Sequence, residues 1–321
     1  MASAAPEEKR RVSRAALLPL LWLVVFFALP TLIVLKLSIS QSAIAQPPYT
    51  PVFDIRAGVD GALAFIQGFT LDNYASLFRD TLYASTYLRS LGVAAISTVI
   101  LLLIAYPIAY AMSRAPKRMQ GVLLMLIVLP FWTAFLIRVY AWINILQRDG
   151  LLNQFLMALR ITNEPIAWLA SDSALFLGIV YSYLPFMILP LFASLERIDP
   201  ALREAAADLG AAPWKIFWRV TFPLSTPGVV AGALLCFIPI VGEFVIPDLL
   251  GPSSSQMIGQ TLWSEFFQNR DWPLASALAI VMLVLLILPI VYYQRLQGRA
   301  LADDRGGRRQ GAFARPAPNE Q

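Results

Sequence analysis

Six long windows of uncharged, mostly apolar residues recur along the chain: Ala15 to Leu35, Ser90 to Ser113, Met119 to Ile137, Ser173 to Leu195, Val220 to Gly242 and Trp272 to Gln294. None shows the strict alternation of a half-buried strand. A hydrocarbon layer of about 30 Å is crossed by about 20 helical residues rising about 1.5 Å each, and every window meets that length. The pattern therefore predicts an all-α membrane protein with six transmembrane helices and both termini on the same side. It divides the chain into a tail at 1–14, a first transmembrane helix at 15–37, an external segment at 38–88, a five-helix core at 89–294 enclosing a polar loop at 196–219, and a second tail at 295–321.

Composition agrees. With 58% hydrophobic and only 14% charged residues, 321 residues carry more apolar surface than one soluble core can hide. Charge then sets the orientation, because Lys and Arg near span ends are retained in the cytoplasm. Seventeen of the 25 Lys and Arg lie before the first window, between the second and third, between the fourth and fifth, or after the sixth. Both termini and the 196–219 loop are thus expected on the cytoplasmic side. The net charge of +5 reflects this topology and implies no nucleic acid, since no basic run is interleaved with aromatics on a soluble domain.

The first window follows a basic stretch and precedes Ala43-Ile44-Ala45, as a cleaved signal would, but its apolar run exceeds the about 7 to 15 residues of such a signal. We read it as an uncleaved anchor. In the 38–88 segment a short helix is expected at Leu71 to Phe78, capped by Thr70 or Asp72, with Leu71, Tyr74, Leu77 and Phe78 on one face. Residues 148–172 and 248–271 are read as further external loops. Pro107, Pro130, Pro185, Pro190, Pro239 and Pro289 fall within the windows and favour kinks. Gly228 and Gly232, spaced as a small-xxx-small pair, allow close helix approach, with a second subunit as one candidate neighbour.

Several chemistries are excluded. There is no histidine, and one cysteine, Cys236, so neither imidazole catalysis nor a disulfide nor a Cys-rich metal site is available. No Gly-x-x-x-x-Gly-Lys-Ser/Thr loop occurs, so the chain is not itself an ATPase. A stand-alone secondary transporter would show duplicated halves and more membrane-embedded titratable groups, and neither is evident. An intramembrane hydrolase would need a Ser-His dyad or paired aspartates in the spans.

The 196–219 loop carries the most specific pattern. Asp199-Pro200 starts a helix and Gly210 ends it, giving two to three turns. Ala201, Ala205 and Ala206 present little bulk, while Glu204 and Asp208, four residues apart, share a face suited to basic groups on a partner. A second start at Ala212-Pro213 leads through Trp214, Ile216, Phe217 and Trp218 back to the membrane. The run Glu204-Ala205-Ala206, three residues, Gly210, nine residues, Val220-Thr221-Phe222-Pro223 resembles the "EAA" loop of ABC-importer permeases, with Val220 and Phe222 in place of the family's Ile and Leu. Ser90-Leu91 and Ala105-Tyr106-Pro107-Ile108-Ala109-Tyr110 also resemble that permease core.

The resemblance implies a type I ABC importer permease architecture, non-catalytic, with no cofactor in this chain. ATP and Mg would be bound by two copies of a cytoplasmic ATPase, docked on the coupling residues Glu204, Ala205, Ala206, Asp208 and Gly210. A second permease subunit, a periplasmic solute-binding protein and the lipid bilayer would be the other partners. Phe131 to Trp142 and Phe237 to Pro252 are similar to permeases of putrescine and spermidine importers. Polyamines carry ammonium groups, which carboxylates and aromatic faces attract, so Glu243, Asp248, Arg138, Trp132, Tyr140 and Trp142 are candidates for the substrate path. Glu243 and Arg138 contact either the substrate or each other. The same machine importing an amino-acid-like compound or an inorganic ion is the alternative.

Overall fold

The structure is a computed structural model that describes residues 14–52, 65, 67–288 and 290–291. Both expected tails, Pro289 and the end of the sixth window lie outside the described residues, apart from position 14 and residues 290–291. Among the described residues the regular structure is helical apart from an antiparallel hairpin of two-residue strands, β1 (Gln41–Ser42) and β2 (Tyr49–Thr50), in which Gln41 pairs with Thr50. Its principal helices in order are α1 (Leu17–Ser38), α2 (Asp72–Arg79), α3 (Thr81–Arg114), α4 (Lys117–Trp132), α5 (Phe135–Leu146), α6 (Leu151–Ala158) and α7 (Asp172–Glu196). Then come α8 (Pro200–Asp208), α9 (Pro213–Val241), α10 (Val245–Leu250), α11 (Ile258–Trp263) and α12 (Trp272–Leu288). The chain divides into two compact units, one reaching Arg79 and including Ser264–Val284, the other comprising Asp80–Trp263 and the residues from Leu285.

In the first unit, α1 has no buried residue in its apolar stretch, which suits a helix solvated by lipid on all sides. At its end the Lys36 ammonium donates to the Pro51 carbonyl at 2.9 Å and lies 4.0 Å over the Tyr49 ring. The Asn73 amide donates to the carbonyls of Ser38 and Ser40, anchoring α2. That helix begins one residue after the expected start, and the Thr70 hydroxyl accepts from the Asp72 N–H at 3.2 Å.

The second unit is built on α3, α7 and α9. Leu101, Ala105 and Ala109 of α3, Ile179, Met187 and Leu191 of α7, and Cys236 and Ile240 of α9 are fully buried. Gly228 and Gly232 explain how closely α9 lies on α7: a Cβ at Gly228 would sit 2.8 Å from the Pro190 carbonyl, and one at Gly232 would sit 2.8 Å from the Met187 sulfur. The glycine pair therefore packs within this chain, and the expectation of a second subunit against it is corrected. Helix α3 is about 50 Å long at about 1.5 Å per residue, starting at Thr81 well before its apolar window because Asp80 caps it, accepting from the Leu82 N–H at 2.8 Å.

Two further expectations are revised. The third window does not form one rod: α4 ends at Trp132 and the helix resuming at Phe135 is bent by 86°. Pro130 lies in the closing 3₁₀ turn Leu129–Trp132, and its carbonyl accepts from the N–H and hydroxyl of Thr133 at 3.3 and 2.8 Å, so the ladder stops there. The segment read as the external loop 248–271 is largely helical, since Asp248 lies inside α10 and α11 follows. Elsewhere α3, α7 and α9 continue through Pro107, Pro185, Pro190 and Pro239.

Candidate functional site

Two places in the second unit gather the sequence-predicted residues. The first is α8. Asp199 accepts from the Ala201 N–H at 2.9 Å, and Pro200 occupies the first turn, where a missing N–H costs nothing. At the other end Gly210 adopts φ +78, its N–H donates to the Ala207 carbonyl at 2.8 Å, and the Ala211 N–H donates to that of Ala206 at 3.1 Å. This is a Schellman closure, and its left-handed residue is why glycine stands there. No α8 side chain is buried; Glu204, Ala205 and Asp208 are exposed, while Ala206 is half-buried.

Leu202 and, just past the helix, Leu209 at 89% exposure add apolar surface that the sequence reading did not single out. The signal was present, since two leucines flank a polar alanine-rich turn. An open cavity of about 580 Å³ lies beside the helix, bordered by Tyr110, Arg114, Arg203, Glu204 and Ile216. An aromatic cluster backs this region. Phe217, in a π-turn of α9, meets Tyr106 and Tyr110 edge-on at 5.5 and 6.0 Å, and the Arg114 guanidinium lies 4.3 Å over Tyr110. The Tyr106 and Tyr110 of the Ala105–Tyr110 motif thus connect α3 to the helix that follows the loop.

The second place is the junction after α9. Gly242, Glu243 and Phe244 turn the chain into α10. The Glu243 carboxylate accepts from the Tyr183 hydroxyl of α7 at 2.6 Å through Oε2, and through Oε1 from the N–H groups of Val245 and Ile246 at 3.1 and 3.4 Å. Cys236 is fully buried and its thiol points to the Tyr183 carbonyl at 3.6 Å. Phe244 stacks on Trp263 of α11 with centroids 4.7 Å apart and planes 9° from parallel. Helix α11 is itself pinned: the buried Ser90 hydroxyl accepts from the Ile258 N–H at 2.8 Å, and Gln260 accepts from the Met257 N–H at 2.9 Å in the manner of a capping box.

Arg138 does not pair with Glu243. Its guanidinium donates to the Pro130 carbonyl at 3.3 Å and lies 4.6 Å over the Phe131 ring, holding the break between α4 and α5. Among the described residues the two ion pairs given by the structure are Arg89–Asp172 and Lys117–Glu196, at 2.5 and 2.7 Å. Arg138 and Glu243 are nonetheless joined indirectly, since Phe131 meets Phe186 at 5.2 Å and Phe186 meets Tyr183 at 6.0 Å. Trp132 and Tyr140 are 75% and 54% exposed, Asp248 is exposed on α10, and Trp142 packs edge-on against Tyr181 at 5.3 Å. Tyr183, Trp263 and Ser90 were missed as junction residues because their partners lie far away in sequence.

Residues 3–301 match the family model described as "Binding-protein-dependent transport system inner membrane component". The chain is 40% identical to the spermidine/putrescine transport system permease protein PotB of Haemophilus influenzae, over 85% of this chain and 90% of that one. It is 37% identical to PotB of Escherichia coli, over 85% and 93% of the respective chains. Among solved structures, a bacterial ABC transporter involved in import of the acidic polysaccharide alginate superposes with a TM-score of 0.65 at 16% identity, covering 89% of this chain and 94% of that chain.

Proposed function

This chain belongs to the family of binding-protein-dependent transport system inner membrane components, and on that footing we propose that it is the permease subunit of an ATP-driven importer of polyamines such as putrescine and spermidine. The 40% identity to a spermidine/putrescine permease along most of both chains carries the choice of cargo. The chain is non-catalytic. It contributes half of a pathway completed by a second permease subunit, with both termini in the cytoplasm. Two ATPase copies bind ATP and Mg, and a periplasmic binding protein delivers the solute.

Glu204, Ala205, Ala206, Asp208 and Gly210 form the docking surface for the ATPase, and the exposed Leu202 and Leu209 extend it. Closure of the ATPase dimer moves α8, and the Phe217 ring cluster passes that motion to α3 and α9. Along the path, exposed Asp248, Trp132 and Tyr140 meet the cargo's ammonium groups and methylene chain through Coulomb and cation–π attraction. Glu243, Arg138 and Trp142 brace the walls.

The test is ATP hydrolysis by the purified complex with its binding protein in lipid. Putrescine or spermidine should stimulate hydrolysis and accumulate inside vesicles. Stimulation by an amino acid or an inorganic oxyanion instead would reassign the cargo, and uptake by this chain alone without an ATPase would overturn the machine.

A further inference from the structure

We infer that Glu243 and Tyr183 form a clip that positions α10, so that Glu243 acts on transport through the placement of that helix and does not itself take the cargo. Every hydrogen bond the structure gives its carboxylate is spent within the chain. One oxygen is held by Tyr183, the other by the first two N–H groups of α10, which have no partner inside that helix. An ammonium group would have to share a carboxylate that already holds three donors, in a half-buried turn.

The surroundings clamp the same turn from two sides. On α7, roughly one and a half turns before Tyr183, a Cβ at Gly178 would lie 2.6 Å from Leu250 and 2.9 Å from Ile246, so α10 rests directly on the α7 backbone. On α11, a Cβ at Gly259 would lie 2.5 Å from the Gly242 carbonyl and 2.6 Å from that of Glu243. The Tyr183 backbone in turn lies against α9, where the buried Cys236 thiol points at its carbonyl at 3.6 Å, a weak contact. The clip therefore joins three helices at one carboxylate. A charge is not required for this; an acceptor for two amides and a partner for one hydroxyl are.

That requirement separates a positioning role from a cargo contact. Glutamine keeps the clip, since its carbonyl oxygen accepts from Val245 and Ile246 and its amide donates to the Tyr183 oxygen, but it removes the charge that an ammonium group would seek. Alanine removes both.

The transport measurement rests on the importer reading above; hydrogen exchange does not. In the intact complex in lipid, Glu243→Gln should leave KM and maximal rate of polyamine uptake within about twofold of the parent. Glu243→Ala should lower the maximal rate about tenfold at unchanged KM and speed amide exchange across residues 243–250. Tyr183→Phe, which deletes one oxygen, should lower the rate about threefold, speed the same exchange and add nothing to Glu243→Ala. A Glu243→Gln variant whose KM rises tenfold at unchanged maximal rate would make the carboxylate a cargo contact and overturn the clip. So would unaltered exchange in both Glu243→Ala and Tyr183→Phe, or fully additive losses. If Glu243→Ala fails to assemble, Tyr183→Phe carries both measurements. If the parent complex takes up no polyamine, the proposed cargo fails while exchange still decides the clip.

Discussion

The Tyr106 and Ser225 hydroxyls lie 2.8 Å apart in the buried seam between α3 and α9. Ser225 also donates to the Phe222 carbonyl at 2.9 Å, so the tyrosine supplies the proton between the two hydroxyls. Tyr106→Phe should cost about 1 kcal/mol, the worth of one neutral hydrogen bond, because the ring contacts and the second Ser225 bond survive. Tyr106→Ala removes the ring that meets Phe217 and Phe222 and should cost about 3–5 kcal/mol. Thermal unfolding of the assembled protein in detergent reads the difference.

Gly210→Pro should abolish uptake while leaving the chain inserted. Proline cannot adopt φ +78 and removes the N–H that closes α8 on the Ala207 carbonyl. Glu204→Lys should do the same by reversing the charge on the docking face. Membrane levels and uptake measured on the same cells decide it; normal uptake by either variant would end the coupling assignment.

Gly259→Ala should destabilise the junction, because the added methyl would meet two backbone carbonyls that no rotamer change can move. Gly121→Ala, with nothing within 4 Å of the new atom, should instead be neutral or stabilising by up to about 1 kcal/mol through helix propensity. Paired melting curves of the two variants make the comparison.

Asn153→Ala should loosen the chain after α6. The buried Asn153 amide donates to the carbonyls of Gln147, Arg148 and Ile166, while its oxygen accepts from the Ile166 N–H and the Trp168 indole. Removing it strands several polar groups at about 1–3 kcal/mol each where they stay buried. Faster amide exchange at Ile166 is the expected reading.

Much of this was legible from residues that are near one another in the chain. Asp199-Pro200 and Gly210 specified both ends of α8, since capping and φ preferences are local. Apolar windows located α1, α3, α7 and α9 for the same kind of reason. Two kinds of failure remain, one local and one of distance. The break after Trp132 lies in an unbroken apolar window, where hydropathy sees length but not the carbonyl of Pro130 drawing in Thr133 and Arg138. Glu243 and Arg138, two charges in apolar surroundings, were open either to pairing with each other or to contact with substrate. Each found other company instead: one a tyrosine sixty residues upstream and two amides, the other a carbonyl and a ring.

The glycine pair of α9 is filled by Met187 and Pro190 of the same chain. The outward surfaces of α3 and α9 carry long aliphatic side chains, Ile96, Val99 and Leu103 on one and Leu235 on the other, among smaller exposed residues such as Ala95. Grooves of small residues seat a neighbour in one register, whereas long aliphatic side chains can change rotamer and let a neighbour slide by small angles. The stiff seam therefore lies inside the subunit and the slippery one at its rim. A tilt imposed from one end is therefore expected to carry α7 and α9 together, because the glycine contacts leave no gap between them, with any slack at those aliphatic flanks.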